Sequence, residues 1–593
     1  VKKIAVALLG VLLVGTVACT SGAAPGEAAA DGRCDYSGVD QSAARVWNEV
    51  ALDAIRRDFP APTVHARNLY HLSALNWDLW STWDESGTAL FPLPDAVPER
   101  ASSDIQGARQ ESISFAAHRL LAHRYQQAVG ATDTLADLDR TLAEFCTLPA
   151  LGESIATSSP AGYGIQVADA LIAATRNDGS RETSNYDDFS YSSVNPPLVV
   201  DSDTIAMVDP ARWQPLSLSS SVSQNGIALP AGVQSFIGPS WGFVTPFALT
   251  PADNGVPIDP GAPPTLETDP DLWFEGIVET ITLSSQLAVG QAQMNVAPDG
   301  INPESGEPYA EQMVDRADYL RAIAEFWADG PDSETPPGHW NTIANEVGDL
   351  VEAGPSGLPA TFEDRLEWDV KLHLALNGAT HDAAIAGWGT KAFYDYVRPI
   401  SMVRWASSLG QSSDASLDSY NPAGLRLIDG LTRLNETGEV EVRAWLGPPN
   451  DPIAEPVGSA WDQESVVRGV GWIAGTEWTP YQRPDFVSPA FAAYVSGHSI
   501  FSSAAAEVLT QFTGSPYFPG GLFTHQVQAE SFKHEPGPSA PFELRWDTFG
   551  SAADEAGFSR RAGGIHVPAD DLAGREMGVE VGRLAWEKAE SLF

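Results

Sequence analysis

The sequence predicts a mainly α protein, a large helical body with long loops and one small strand-containing insertion. Three observations carry that expectation. Apolar residues recur at three- and four-residue steps over many stretches, the signature of amphipathic helices. The stretch 184–272 lacks that step and is rich in Pro, Ser, Gly and Asp, as connecting loops are. Short apolar runs among Gly, Pro and Asn turns are concentrated between 405 and 483, where short strands are expected. At 593 residues the chain exceeds one ordinary core. The pattern divides it into a helical scaffold over 41–360, with long loops at 184–310, and a second helical region over 361–593 that carries the 405–483 insertion.

The first 19 residues read as an export signal. Lys2 and Lys3 precede an apolar run from Ile4 to Val14, which is too short for a comfortable transmembrane span. Small residues lead into Cys19, which is similar to a bacterial lipoprotein box, and residues 20–40 read as a flexible tether. Two destinations follow: a cell-envelope lipoprotein acylated at Cys19, or a secreted protein cleaved nearby. Cys34 and Cys146 are the other thiols. In an oxidising compartment they can pair and tie the N-terminal segment to the helical body, or remain two buried thiols.

From Gln41 the helices begin. Val46, Trp47, Val50, Ala51, Ala54 and Ile55 form one stripe, ended near Pro60. Thr63 is placed to cap the next, with Leu69, Leu72, Leu75, Leu79 and Trp80 on its apolar face. Further helices are expected around 104–128, 133–146, 162–176, 311–328 and 338–353. A long one is expected over 361–398, with Pro399 ending or kinking it. His65, His71, His373 and His381 read as packing histidines, and Asp382 as a possible support for the site. Within the insertion, 425–431, 440–445 and 470–473 are expected strands, forming a lid or rim over a pocket. A helix follows Ser496-Gly497-His498 through Leu509, and a last one runs from Pro568 nearly to Phe593.

Charge narrows the partners. With 34 basic against 78 acidic residues the formal net charge is −44, so nucleic acid and anionic membrane surfaces are excluded as partners. Contact with a membrane is left to the N-terminal anchor alone. Against this background three clusters gather anion-binding chemistry. Lys391 and Arg398 are seven residues apart, two turns of helix, which puts both cations on one face, where they can converge on one ligand. Ser496-Gly497-His498 opens a helix whose first amides point outward beside a hydroxyl. Gly563-Gly564 lets the chain turn, so that Arg560 and His566 can face one point. Three cations, a hydroxyl, open amides and two histidines suit an oxyanion with three equatorial oxygens.

The order Lys-x6-Arg-Pro, Ser-Gly-His, Ser-Arg-x5-His resembles the signature shared by vanadium-dependent haloperoxidases and the type 2 phosphatidic acid phosphatase superfamily. Val495 stands where that signature usually has proline, and the 96 residues between Pro399 and Ser496 make an unusually long separation. The resemblance implies helical bundles with the anion site held between them in the 361–593 region. It also implies a vanadate cofactor, no haem, and hydrogen peroxide, halide and an organic acceptor as partners. His566 would ligate vanadium. Lys391, Arg398, Ser496, Gly497 and Arg560 would hold the oxygens. His498 would be the acid–base group, and Lys391 would polarise peroxide. Trp388 and Phe491 match aromatic positions lining the halide side of the fungal-type chloroperoxidase pocket. A soluble exported acid phosphatase, with His566 attacking phosphorus and His498 protonating the leaving oxygen, is the competing reading. The sequence leaves the halide, the acceptor and the oligomeric state open.

Overall fold

In the computed structural model, the described residues are 33–593 apart from 85–86, 100–103, 149–153, 219–220, 223–226, 230, 328–332, 353–364, 448–468, 482–487 and 534–535. The export signal, Cys19 and most of the tether lie outside the described residues.

The N-terminal bundle is built from α1 (Ala43–Arg56), α2 (Pro62–Ser81), α3 (Ile105–Tyr125), α4 (Ala131–Phe145) and α5 (Pro160–Thr175). Ser42 caps α1 by accepting the Arg45 amide. The expected cap Thr63 instead lies inside the first turn of α2, which starts on Pro62, because the fixed φ of proline suits that position. A disulfide joins Cys34 to Cys146 at the end of α4. The loop region then yields α6 (Pro270–Ser285), which the sequence reading did not anticipate. Asp269 caps it and Pro270 opens it, a start signal that was read as loop chemistry. Next come α7 (Arg316–Trp327) and α8 (Thr335–Glu352).

The central element is α9 (Arg365–Tyr394), whose residues from Leu366 to Lys391 are almost all buried. It packs against α2 on one side and against α11 (Gly497–Thr513) and α13 (Pro568–Glu590) on the other, so it belongs to both bundles. A helix buried on every face must have its polar side chains paired within the protein, as Asn377 is with Ser73 and Asn341. α10 (Pro399–Ser408) and α12 (Phe549–Ala562) complete the helices of the described residues; neither was expected. Pro399 therefore starts a helix rather than simply ending one.

Close approach of α13 to α11 fixes the floor of the C-terminal bundle. Gly574, Gly578 and Gly582 lie four residues apart on the α13 face that meets α11. A Cβ on Gly574 would lie 3.0 Å from the Ser496 carbonyl oxygen, and one on Gly578 2.6 Å from that of Ile500. The glycines bring the two helices together at the end where Ser496 and His566 sit.

The insertion forms a three-stranded antiparallel sheet, Val440–Trp445 between Thr432–Leu434 and Val470–Ala474. Residues 425–431 form turns and isolated bridges instead of the expected strand. This sheet packs on α6 and α10, and beyond it Trp478 and Pro480 of the insertion pack against Gly564, two residues before His566. A second hairpin, Phe523–Val527 with Phe542–Trp546, was not foreseen. No described helix is long and apolar enough to cross a membrane.

Candidate active site

Lys391 and Arg398 reach one place by a different route from the one their spacing suggests. α9 stops at Tyr394, Asp395 takes a left-handed φ of 50°, and Arg398 is extended as the N-cap of α10. The two cations therefore come from a helix end and the next helix start, not from one helical face. Lys391 is fully buried, and its ammonium donates to the carbonyls of Ala492 (3.0 Å), Ala493 (2.9 Å) and Val495 (2.5 Å). In this structure it clamps the loop entering Ser496. Arg398 donates to the carbonyls of Phe491 and Ile565, both at 3.0 Å, and through Nη1 to His566 Nε2 at 3.1 Å.

That last contact fixes the His566 tautomer. A guanidinium only donates, so Nε2 must present its lone pair and the ring proton lies on Nδ1. Nδ1 donates to Asp570 Oδ2 at 2.9 Å, and the same oxygen accepts the Val567 amide at 3.1 Å. Asp570, on the first turn of α13, orients the ring as a carboxylate behind a ligating histidine does. The sequence reading passed over it, although its four-residue spacing from His566 at a helix start was a usable signal. Asp382, considered as a support for the site, instead accepts the amides of Phe247, Ala248 and Leu249 and holds a loop.

His498 is set by a carbonyl. Its Nε2 lies 2.6 Å from the Trp327 oxygen, which only accepts, so Nε2 carries a proton. Trp327 is itself held by its indole N–H on Glu555, a buried carboxylate that also accepts Trp546 and Tyr319. These residues are too far apart in sequence for any local pattern to link them to His498. Ser496 is the N-cap of α11, its hydroxyl accepting the Ser499 amide, and Gly497 is the first helical residue, whose amide has no partner within the helix.

Gly497, His498, Arg560 and His566 line a small cavity of about 20 Å³, together with Trp388, Phe491, Phe501, Pro62, Pro336, Pro489 and Ile565. That is room for a water-sized group. Lys391, Arg398 and Ser496 stand just behind this lining. Trp388 and Phe491 pack with ring centroids 4.9 Å apart, and the Lys391 ammonium lies 5.6 and 5.1 Å from them.

Electrostatically the site is over-supplied with positive charge. Burial, then Arg398, push the Lys391 ammonium well below its usual range, with Asp570 pulling the other way. Burial lowers Arg398 to about 9, with Arg560 adding to the effect. His566 is lowered by burial and by Arg398, Lys391 and Arg560, and His498 by burial and Arg560. Burial raises Asp570 to about 7. Among the described residues Lys391 and Arg398 are buried beside one shared carboxylate, Asp570, and a bound anion would add to their compensation. The donor set also suits a metal only as an oxyanion. Among the described residues no group of three or more His, Cys, Asp or Glu is arranged to hold a metal ion.

Residues 371–593 match the family described as the VCPO second helical-bundle domain. Among solved structures, the apo form of a bacterial vanadium-dependent chloroperoxidase superposes with a TM-score of 0.62 at 18% identity, covering 89% of this chain and 93% of that one. Its holo form gives 0.61 at 18%, covering 90% and 94%. The chain has the vanadium haloperoxidase fold. A bacterial vanadium-dependent iodoperoxidase is similar as well, with a TM-score of 0.52 at 17% identity over 93% of this chain and 97% of that one. A search of curated proteins finds no sequence match. Within this haloperoxidase fold the matched region begins inside α9 and contains all the clusters singled out from sequence, from Lys391 to His566.

Proposed function

We propose that the protein is a vanadate-dependent haloperoxidase that oxidises halide with hydrogen peroxide to a hypohalous-acid-type species. The observation that carries this reading is the His566 Nε2 lone pair, aimed among three buried cations and backed by Asp570. His566 would ligate the vanadium of vanadate, and Arg398, Arg560, Lys391, the Ser496 hydroxyl and the Gly497 amide would hold its oxygens. Vanadate bound there supplies the activation of peroxide toward halide. Arg398, whose Nη1 meets Nε2 in this structure, would turn that donor to an oxygen of the bound anion. His498, whose Nε2 is held by the Trp327 carbonyl, would be the acid–base group. Trp388 and Phe491 would face the halide, keeping water away and strengthening the cationic field.

The test is peroxide-dependent halogenation by purified protein with and without added orthovanadate. Activity is expected only with vanadate, and His566→Ala is expected to lose both tight vanadate binding and activity while the fold survives. His566→Ala that binds vanadate like wild type overturns the ligand assignment. The Nε2 lone pair would equally serve attack on phosphorus. Brisk phosphomonoester hydrolysis by vanadate-free protein, with vanadate only inhibiting, makes it an acid phosphatase instead.

A further inference from the structure

A second opening is much larger than the small cavity beside His566. A cleft of about 1050 Å³ lies between the α2 start and the loops of 185–241, with Tyr186, Phe189, Tyr191, Trp213, Phe236 and Trp241 among its lining residues. That volume is in the range of sites for drug-sized ligands. Its walls are built rather than incidental. Asn195, 2% exposed, donates to the carbonyls of Asp209 and Arg212 and accepts the amides of Val208 and Asp209, tying two wall segments together. Phe189, by contrast, is 90% exposed on the lining, an apolar ring left in water.

The cleft and the small cavity are neighbours. Ala61 and Thr63 line the cleft, and Pro62 between them lines the cavity. Gly238 also lines the cleft; a Cβ there would lie 3.3 Å from Trp388 Cδ1, and the Trp388 indole donates to the Ile237 carbonyl at 3.0 Å. The other edge of the same indole faces Gly497, where a Cβ would stand 3.4 Å from it. Trp388 is thus the partition between the two spaces.

Charge sorts the occupant. Asp58, Asp187 and Asp188 line the cleft with one cation, Arg124; Asp188 is paired with Arg181 at 3.1 Å, which leaves Asp58 and Asp187 as the negative charge of the lining. Arg124 is already engaged by Glu182, the Thr175 hydroxyl and His71. An anionic ligand meets net repulsion there, whereas a flat apolar ring that is neutral or cationic meets aromatic faces.

We propose that this cleft binds the organic acceptor, a neutral or cationic electron-rich arene, so that halogen is transferred to a bound substrate. The proposal rests on the haloperoxidase reading above. A π pair of the arene forms a bond to the halogen of hypohalous acid as the halogen–oxygen bond breaks. The released hydroxide takes the proton from the substituted carbon, giving haloarene and water.

The probe is 3-phenylphenol, with biphenyl-3-carboxylate as its anionic counterpart. Titration calorimetry on the vanadate-free protein is expected to show phenol binding, with the carboxylate at least tenfold weaker. Val194→Trp and Val208→Trp fill the cleft from residues 46% and 75% exposed, and each is expected to weaken phenol binding at least tenfold. With vanadate, peroxide and bromide, wild type should brominate the phenol in an isomer ratio different from that of reagent hypobromous acid. Both variants should return the reagent ratio while brominating a small 1,3-diketone at the wild-type rate. Phenol binding absent, or unchanged in both variants, overturns the cleft assignment, as does a wild-type ratio equal to the reagent's. If the diketone is not brominated by any of the proteins, the haloperoxidase reading falls, and the acceptor role with it, whatever the calorimetry reads.

Discussion

Arg67 on α2 and Arg398 at the start of α10 are both out of water, with 0% and 1% of their surface exposed. Arg67 donates to Asp178 at 2.6 Å and to Glu182 at 2.9 Å, with a further bond to the Thr175 carbonyl. Burial pulls its pKa down, but Tyr186, Asp178 and Glu182 outweigh that, and it ends above its ordinary value. Arg398 has carbonyls and a histidine for partners, and burial lowers it to about 9. Equal burial with opposite shifts separates two uses of charge. In the N-terminal bundle compensation is built into the chain and the cation is structural. In the C-terminal bundle, under the proposed function, much of it would come from the bound anion, which would make the cradle costly when empty and strong when filled.

The largest test of that contrast is Asp178→Asn. Removing one partner leaves Arg67 under-compensated in a buried setting, so unfolding free energy should fall by about 3–5 kcal/mol. Denaturant unfolding measures this, and phosphate or vanadate affinity of the folded protein should not change. A loss below about 1 kcal/mol would mean that the N-terminal network is as open as the cradle.

Lys391→Met probes the same contrast within the site. The ammonium holds three carbonyls in this structure, as a structural lysine would, yet it lies beside the Trp388 and Phe491 rings, where a reacting oxygen would gain from it. A donor whose bond strengthens in the transition state typically contributes about 10²–10³ in turnover. Turnover at saturating vanadate is therefore expected to fall by that order, while vanadate affinity falls less than in Arg398→Ala or Arg560→Ala. Wild-type turnover restored by saturating vanadate would make Lys391 a loop clamp and anchor only.

How far the chain could be read depended on the range of the interaction. Helices with an apolar stripe, such as α1 and α2, were legible because periodicity is local. The helix starts at Pro270 and Pro399 were not, because proline punctuates both loops and first turns and only the cap tells them apart. Lys391 and Arg398 were grouped on the ground of one helical face, whereas a left-handed Asp395 breaks the helix between them, a conformation aspartate enters more readily than most residues. Asp570 could have been found from its spacing to His566. The Glu555–Trp327–His498 chain could not, since its members meet only through the packing of α7, α11 and α12.

The smallest expected effect is in acid. His373 on α9 donates from Nε2 to Asn345 at 2.9 Å, within the α8–α9 contact, and burial, with Arg45 and Arg365, lowers its pKa to about 3. The unfolded chain binds that proton near pH 6.5, so a group depressed in the native state contributes stability fully present above 6.5. That contribution is lost as pH falls from 6.5 toward about 3. One such group contributes a slope of about 1.4 kcal/mol per pH unit in that window. Gln in place of His373 can keep the bond to Asn345 without titrating. His373→Gln should therefore unfold in denaturant with a shallower loss of stability between pH 6.5 and 5 than wild type. Saturating orthophosphate should raise both proteins by the same mass-action amount at each pH, because His373 bonds to α8 and not to the cradle. A wild-type slope in His373→Gln would show that His373 is already charged in the folded protein. A difference that disappears with phosphate would couple α8 and α9 to the anion site, and erase the separation between structural and ligand-facing charge.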